Sequence, residues 1–509
     1  MPPDVSVAPD GGAYGMLDGM LGSRVRDGIT LPSLDDGLAA AGAGVLGGPP
    51  GRHAAIGRSW WTPLRIMLAV LMVTLFAGWS YKAPCQAPSA DWGGQVQTQY
   101  THLCYSDIRA LYEGEGLSSG KVPYRDVVSV DADGTKHYVE YPVGIGLFMQ
   151  AASVLTHALP ADLANGVSFF QINAGLLSIV AIIGALAFYG LTRRRPWDAV
   201  MFAAAPTLAL HAFTNWDVIA VAFGIVGVYA WARERPLLAG VLLGLGTATK
   251  MFPGLVLVAI AIVALGARDR AAWRATGIAW AAAVGTYVAV NIIPAAMWPS
   301  GWWYFFKFSQ QRGAESNSLW FHAQAHFPTG SFWGFLGDTA RNVDTLNKVV
   351  AALLIVGLAA IAGLAVYAPT RPRLAQIAFL VMFVFLITGK VWSPQYTLWL
   401  LPWVVLSRPR WGLFLVWQLS EIAVWAGVLG YLHDLSNPGH GVPLTAYTAI
   451  ILVRDALLVA YAVLIVRDIL RPEGDVVRQD HFGLDPLAGP FDSVADQDPE
   501  PVAASPALA

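Results

Sequence analysis

Apolar runs recur through most of this chain, and the connections between them carry arginine on alternate sides. The runs lie near 62–80, 166–191, 198–213, 216–232, 237–249, 253–266, 275–296, 344–368, 372–389, 396–407, 411–431 and 444–466. Of the 509 residues, 55% are hydrophobic and only 13% charged, against about 25% charged in a soluble domain. With a mean hydropathy of +0.51, the main solvent for such a chain is lipid. The pattern predicts an all-α, polytopic integral membrane protein with about a dozen transmembrane helices. Several runs fall short of the ~17–20 residues that cross a bilayer, so these are expected to be tilted, half-buried or re-entrant. A net charge of -2 argues against a nucleic-acid surface. The 20 Trp, 17 Tyr and 22 Phe suit interfacial belts as well as packing.

The basic clusters set an orientation. Arg52, Arg58 and Arg65 precede or open the first run, which predicts an inside N-terminus and an uncleaved first span. Arg193–Arg195, Arg233/Arg235, Arg268/Arg270/Arg274, Arg371/Arg373, Arg408/Arg410 and Arg467/Arg471 then fall on alternate connections, all on that same side. The pattern holds only if the apolar segment 143–159 does not cross. That segment is therefore expected to lie at the outer interface or dip into it. Two large outer loops follow, at about 81–165 and about 297–344. Residues 1–58 and the acidic, Pro/Ala-rich stretch 472–509 read as disordered tails flanking a membrane domain at 59–471. Both cysteines, Cys85 and Cys104, fall in the first outer loop, where a disulfide and two free thiols are both open.

The first outer loop is dense in Tyr, Gly, Pro and acids: Tyr105-Ser106-Asp107, Pro123-Tyr124-Arg125-Asp126, then Glu140-Tyr141-Pro142. An acid near a membrane surface can act as general base toward a hydroxyl; it can also be an ordinary solvated carboxylate. These three strings resemble the first outer loop of the bacterial GT-C glycosyltransferases of family 87, which include polyprenol-phosphate-mannose-dependent mannosyltransferases. Three further stretches share the resemblance: Asn215-Trp216-Asp217, Ala239-Gly240 through Thr249-Lys250-Met251-Phe252-Pro253, and Ser393-Pro394-Gln395-Tyr396 into Leu400-Leu401-Pro402-Trp403. The likeness spans roughly residues 60–470.

It implies a GT-C fold with outer-loop interfacial helices, in the plasma membrane of a bacterium. Both termini would be cytoplasmic and the site would face outward. The implied reaction is inverting transfer of a sugar, mannose first, from a polyprenyl-phosphate donor to a lipid or glycan acceptor. The usual catalytic base of such enzymes matches Asp107, with Asp126 and Glu140 as alternates. Cations should face the leaving phosphate. Lys250 and Lys390, at the outer ends of apolar runs and shortly before Pro253 and Pro394, are the candidates; both could instead snorkel to headgroups. In the second loop, Arg312 could pair with phosphate, and His322 or His326 could bond phosphate, sugar or acceptor. Tyr105 and Gln395, inside the shared strings, are further substrate-contact candidates. Asp217 is either a substrate acceptor group or a helix cap. No cofactor is evident and no metal-ligand spacing occurs, although the loop has enough acids for a divalent cation. A transporter or flippase of lipid-linked sugars is the competing class, but it would place paired charges near mid-membrane. A non-enzymatic scaffold is a third reading; it could lose the acid that this chain retains at Asp107.

Overall fold

The computed structural model describes residues 31, 36–45, 60–94, 96–267 and 269–491. The fold is all-α. Among the described residues the only strands form a two-residue antiparallel ladder, Ser129 opposite His137 and Val130 opposite Lys136. Among the described residues six helices are long and apolar enough to cross a membrane: Pro63–Tyr81, Gly166–Thr192, Arg270–Met297, Val343–Tyr367, Trp411–Ser436 and Leu444–Leu470. Their ends follow from local chemistry. Asn165 caps the second of these by accepting from the Val167 and Ser168 amides, and Asp269 caps the third through the Ala272 amide.

Between the long helices sit shorter apolar ones, Asp217–Ala232, Pro236–Thr249, Pro253–Ala267 and Leu374–Thr388. At 14 to 16 residues they reach only about 21–24 Å, less than the ~30 Å hydrocarbon core. At least half of the residues of each are buried. The Pro236–Thr249 helix lies directly on Arg270–Met297, because a methyl at Gly240 would fall 2.2 Å from the Ala279 carbonyl oxygen and one at Gly244 2.5 Å from that of Ala283. Small residues four apart permit this approach of two backbones. The segment expected to lie at the interface forms the 15-residue helix Val143–His157, about 22 Å long.

Three expectations need correction. The run 198–213 is two helices, Asp198–Ala203 and Pro206–His211; Pro206 has no amide to continue the first ladder, so the helix restarts there. Part of the stretch 1–58 is structured: Asp36 caps Gly37–Val45 through the Leu38 and Ala39 amides, and its other oxygen accepts from the Trp411 amide. Residues 1–30, 32–35 and 46–58 lie outside the described residues. Third, 472–491 is no free tail but a strap folded across one end of the bundle. Asp475 accepts two bonds from the fully buried Arg373, at 2.7 and 3.0 Å, and a third from Gln376. Asp480 pairs with Arg195, Asp485 accepts from the Leu374 amide, and the Ala488 carbonyl accepts from the Trp231 indole. Two of the acids that made this stretch look unstructured, Asp475 and Asp480, are matched to arginines placed far upstream. Positions 492–509 lie outside the described residues.

Arg373 also donates to the Leu406 and Ser407 carbonyls, so it joins the strap to two helix ends. Replacing Asp475 by Ala leaves that guanidinium buried without its carboxylate, a loss of about 3–5 kcal/mol for a broken buried pair. Asp475→Ala should therefore melt well below the wild type in detergent; an unchanged melting temperature would show that the strap is not latched.

Candidate active site

The short helices end part-way through the bundle, and several of those ends converge on one cleft. Asn215-Trp216-Asp217 leads into one helix, Lys250 caps the end of another, and Ser393–Tyr396 opens a third segment after the break at Gly389–Val391. The Cys85–Cys104 disulfide is formed. It ties the end of the first span to the segment leading into Tyr105-Ser106-Asp107.

That segment is stitched to the one before Asp217. The Ser106 hydroxyl donates to the Phe213 carbonyl at 2.7 Å, and the Asp107 amide to the Thr214 carbonyl at 2.8 Å. The Asp107 carboxylate then accepts the Tyr105 hydroxyl on Oδ1 at 2.6 Å and the Asn215 side-chain amide on Oδ2 at 2.6 Å. Asn215 is itself fixed, because its Nδ2 also donates to the Tyr141 hydroxyl and its Oδ1 accepts from the Trp216 amide. Burial pushes the Asp107 carboxyl above the ordinary Asp value, while the Tyr105 and Asn215 bonds and the charge of Lys250 pull it back. The result is a carboxylate more basic than a surface Asp, held in one orientation.

Lys250 reaches the same cleft. Its Nζ is 3.5 Å from Asp217 Oδ2 and lies over the Tyr141 and Tyr396 rings at 5.1 and 5.9 Å. Asp217 is wholly buried, and its other oxygen accepts from the Trp399 indole at 2.7 Å. The remaining wall comes from the second loop, where Arg312 pairs with Glu315 at 3.4 Å and Glu315 accepts from the Ser393 hydroxyl at 2.8 Å. The cleft encloses about 470 Å³ and is lined by Tyr105, Asp107, Glu115, Glu140, Tyr141, Asn215, Lys250, Arg312, Glu315, Gln395 and Tyr396, among others. A second cavity, of about 550 Å³ and almost wholly apolar, lies alongside between Val143–His157 and the neighbouring helices; Ala248 and Thr249 line it immediately before Lys250.

Of the residues singled out from sequence, Asp107, Tyr105, Glu140, Lys250, Arg312 and Gln395 meet in this cleft. Asp217 sits behind it as the partner of Lys250, neither a capping side chain nor a group in the wall. Lys390 does not line it: its ammonium donates to the Gln310 and Arg312 carbonyls, holding the second loop in place. His322 and His326 are directed at the Thr448 hydroxyl, and burial drops the His322 imidazole to about 4. Asp126 is taken up by Arg125 and the Val122 amide. The cleft also contains groups that sequence reasoning did not single out: Asn215 as the Asp107 donor, Tyr141, Glu315, and Glu115, whose carboxyl burial and the nearby Glu140 raise to about 7. Asn215 and Tyr141 lay inside quoted strings, so the signal was present without the role. Among the described residues no three His, Cys, Asp or Glu side chains converge as a metal-binding group.

Residues 141–389, just under half of the chain, match the model of glycosyltransferase family 87. Asp107 lies upstream of the matched stretch. No curated protein matches the chain. Among solved structures, the oligosaccharyltransferase of Archaeoglobus fulgidus is 12% identical with a TM-score of 0.36, over 81% of this chain and 56% of that one. ArnT from Cupriavidus metallidurans is 16% identical with a TM-score of 0.39, over 84% of this chain and 76% of its own.

The Tyr105 bond supplies part of what keeps Asp107 ionised. A hydrogen bond to a charged group contributes about 1.5–3 kcal/mol, and 1.36 kcal/mol is one pH unit. Tyr105→Phe should thus raise the Asp107 titration midpoint by about one unit or more. The measurement is the infrared carboxyl band of aspartate-labelled protein, assigned by its loss in Asp107→Asn; an unmoved midpoint would contradict the assigned bond.

Proposed function

We propose that the chain is an inverting glycosyltransferase of the plasma membrane, moving a sugar, mannose first, from a polyprenyl phosphate to a lipid or glycan acceptor at the outer face. The observation that carries this reading is the placement of Asp107: a carboxylate oriented by two donors, in a polar cleft that also holds Lys250 and adjoins a large apolar cavity. The cavity suits an isoprenoid chain, and the cleft suits a phosphate and a sugar. In the proposed step Asp107 takes the acceptor hydroxyl proton as that oxygen attacks the anomeric carbon. The bond from the anomeric carbon to the phosphate oxygen breaks, and its electron pair leaves on the phosphate. Lys250 and Arg312 are the cations in the wall that would meet the charge growing there. The outward orientation rests on the arginine clusters, including Arg195, Arg373 and Arg408, which the strap and its neighbouring acids engage.

The test is transfer of radiolabelled mannose from polyprenyl-phosphate-mannose to a membrane-lipid extract by the protein in nanodiscs. Wild-type transfer should fall about 10²–10⁴-fold in Asp107→Asn, the range for loss of a general base, with the melting temperature retained. Equal transfer by both proteins would move the base to Glu140 or another acid of the wall. No product with any polyprenyl-linked sugar would overturn the enzymatic reading.

A further inference from the structure

Lys82 follows the first span and is wholly buried. Among the described residues it forms no ion pair within 4 Å. Its ammonium donates to the Tyr105 carbonyl at 2.7 Å and the Thr214 hydroxyl at 3.0 Å, and lies over the Trp425 ring at 4.7 Å. These two acceptors belong to the two segments that grip Asp107. Tyr105 bonds one carboxylate oxygen directly, and Thr214 precedes the Asn215 that bonds the other. An unpaired ammonium in such a place is costly to bury. Oriented carbonyls and an aromatic face offset part of that cost, and a nearby carboxylate offsets more.

We propose that Lys82 is a positioning residue for Asp107 and its buried counter-charge: it pins the 105–107 and 213–215 segments together and keeps the carboxylate ionised from behind, on the side away from substrate. This extends the proposed function, because it assigns to the first span a part in setting the base.

The surrounding charges fit that role. Asp107 faces Tyr105, Tyr141, Lys250, Asp217 and Glu315. Lys82 faces Tyr81, His211 and the Trp425 ring, and Asp107 is the acid that holds its proton on. Burial lowers the Lys82 ammonium to about 7. Its charge is therefore present below that pH and is lost above it. Deleting the charge destabilises the carboxylate, so Asp107 must protonate at a higher pH.

The experiment titrates the full-length protein in nanodiscs by the Asp107 infrared band, which needs no substrate and so stands apart from any failure of the transfer assay. Lys82→Gln keeps donors and removes the charge; it should raise the Asp107 midpoint by about one unit, a tenfold change in the proton equilibrium. Lys82→Arg should leave the midpoint near the wild type, and so should Thr214→Val, which removes a contact without charge. A wild-type midpoint in folded Lys82→Gln would overturn the proposal, as would a shift in Thr214→Val as large as that in Lys82→Gln. Should Lys82→Gln fail to fold, the reciprocal measurement decides. In Asp107→Asn, the Lys82 ammonium followed by nitrogen NMR should lose its proton at lower pH than in the wild type; an unchanged titration would overturn the coupling.

Discussion

The site depends on a short splice between two distant segments. The Ser106 hydroxyl and the Asp107 amide bond the carbonyls of Phe213 and Thr214, and Asn215 closes the join through the carboxylate itself. Each of these groups would be unsatisfied if the segments parted, and unsatisfied polar groups in a buried setting are expensive. The carboxylate is therefore a structural acceptor as well as the proposed base. Its orientation is set by the same bonds that hold the first loop to the bundle.

The short helices explain why a polar cleft can exist at this depth. A helix that stops before the bilayer surface leaves terminal amides and carbonyls that need partners. Here the breaks at Asn215–Asp217, Lys250–Phe252 and Gly389–Ser393 are adjacent, so their polar ends serve one another and one shared cavity. Beyond Thr249 the lining turns apolar. Lys250 stands at that boundary, paired with Asp217 on one side and bracketed by two tyrosine rings.

Much of the architecture was legible in the sequence, because span length and apolar continuity are read directly from residue order. The expectation that 143–159 does not cross was drawn from the placement of the arginines; the structure shows a 15-residue helix there, Val143–His157, as long as the short helices of the bundle. Other features were not legible for definite reasons. Two lysines looked alike, each at a span end before a proline, yet Lys250 enters the cleft and Lys390 turns to the carbonyls of the second outer loop; side-chain direction is decided by partners that sequence does not locate. Lys82 carried no motif, and its burial arises only when segments 105 and 214 meet around it. The acids after Pro472 had the composition of a solvated tail. Only the tertiary fold brings Asp475 to Arg373, which lies 102 positions earlier.

That strap has a consequence for how the molecule is made. Arg195 is synthesised 285 positions before the Asp480 that neutralises it, and Arg373 also precedes its carboxylate by most of the length of four helices. During synthesis these guanidinium groups must stay at a watery surface, which is where a basic cluster is retained while helices insert. The strap arrives after the last span and closes these charges into an ionic seam. The same arginines thus begin as solvated charges on an unfinished bundle and end as the seam that joins its last segment to it.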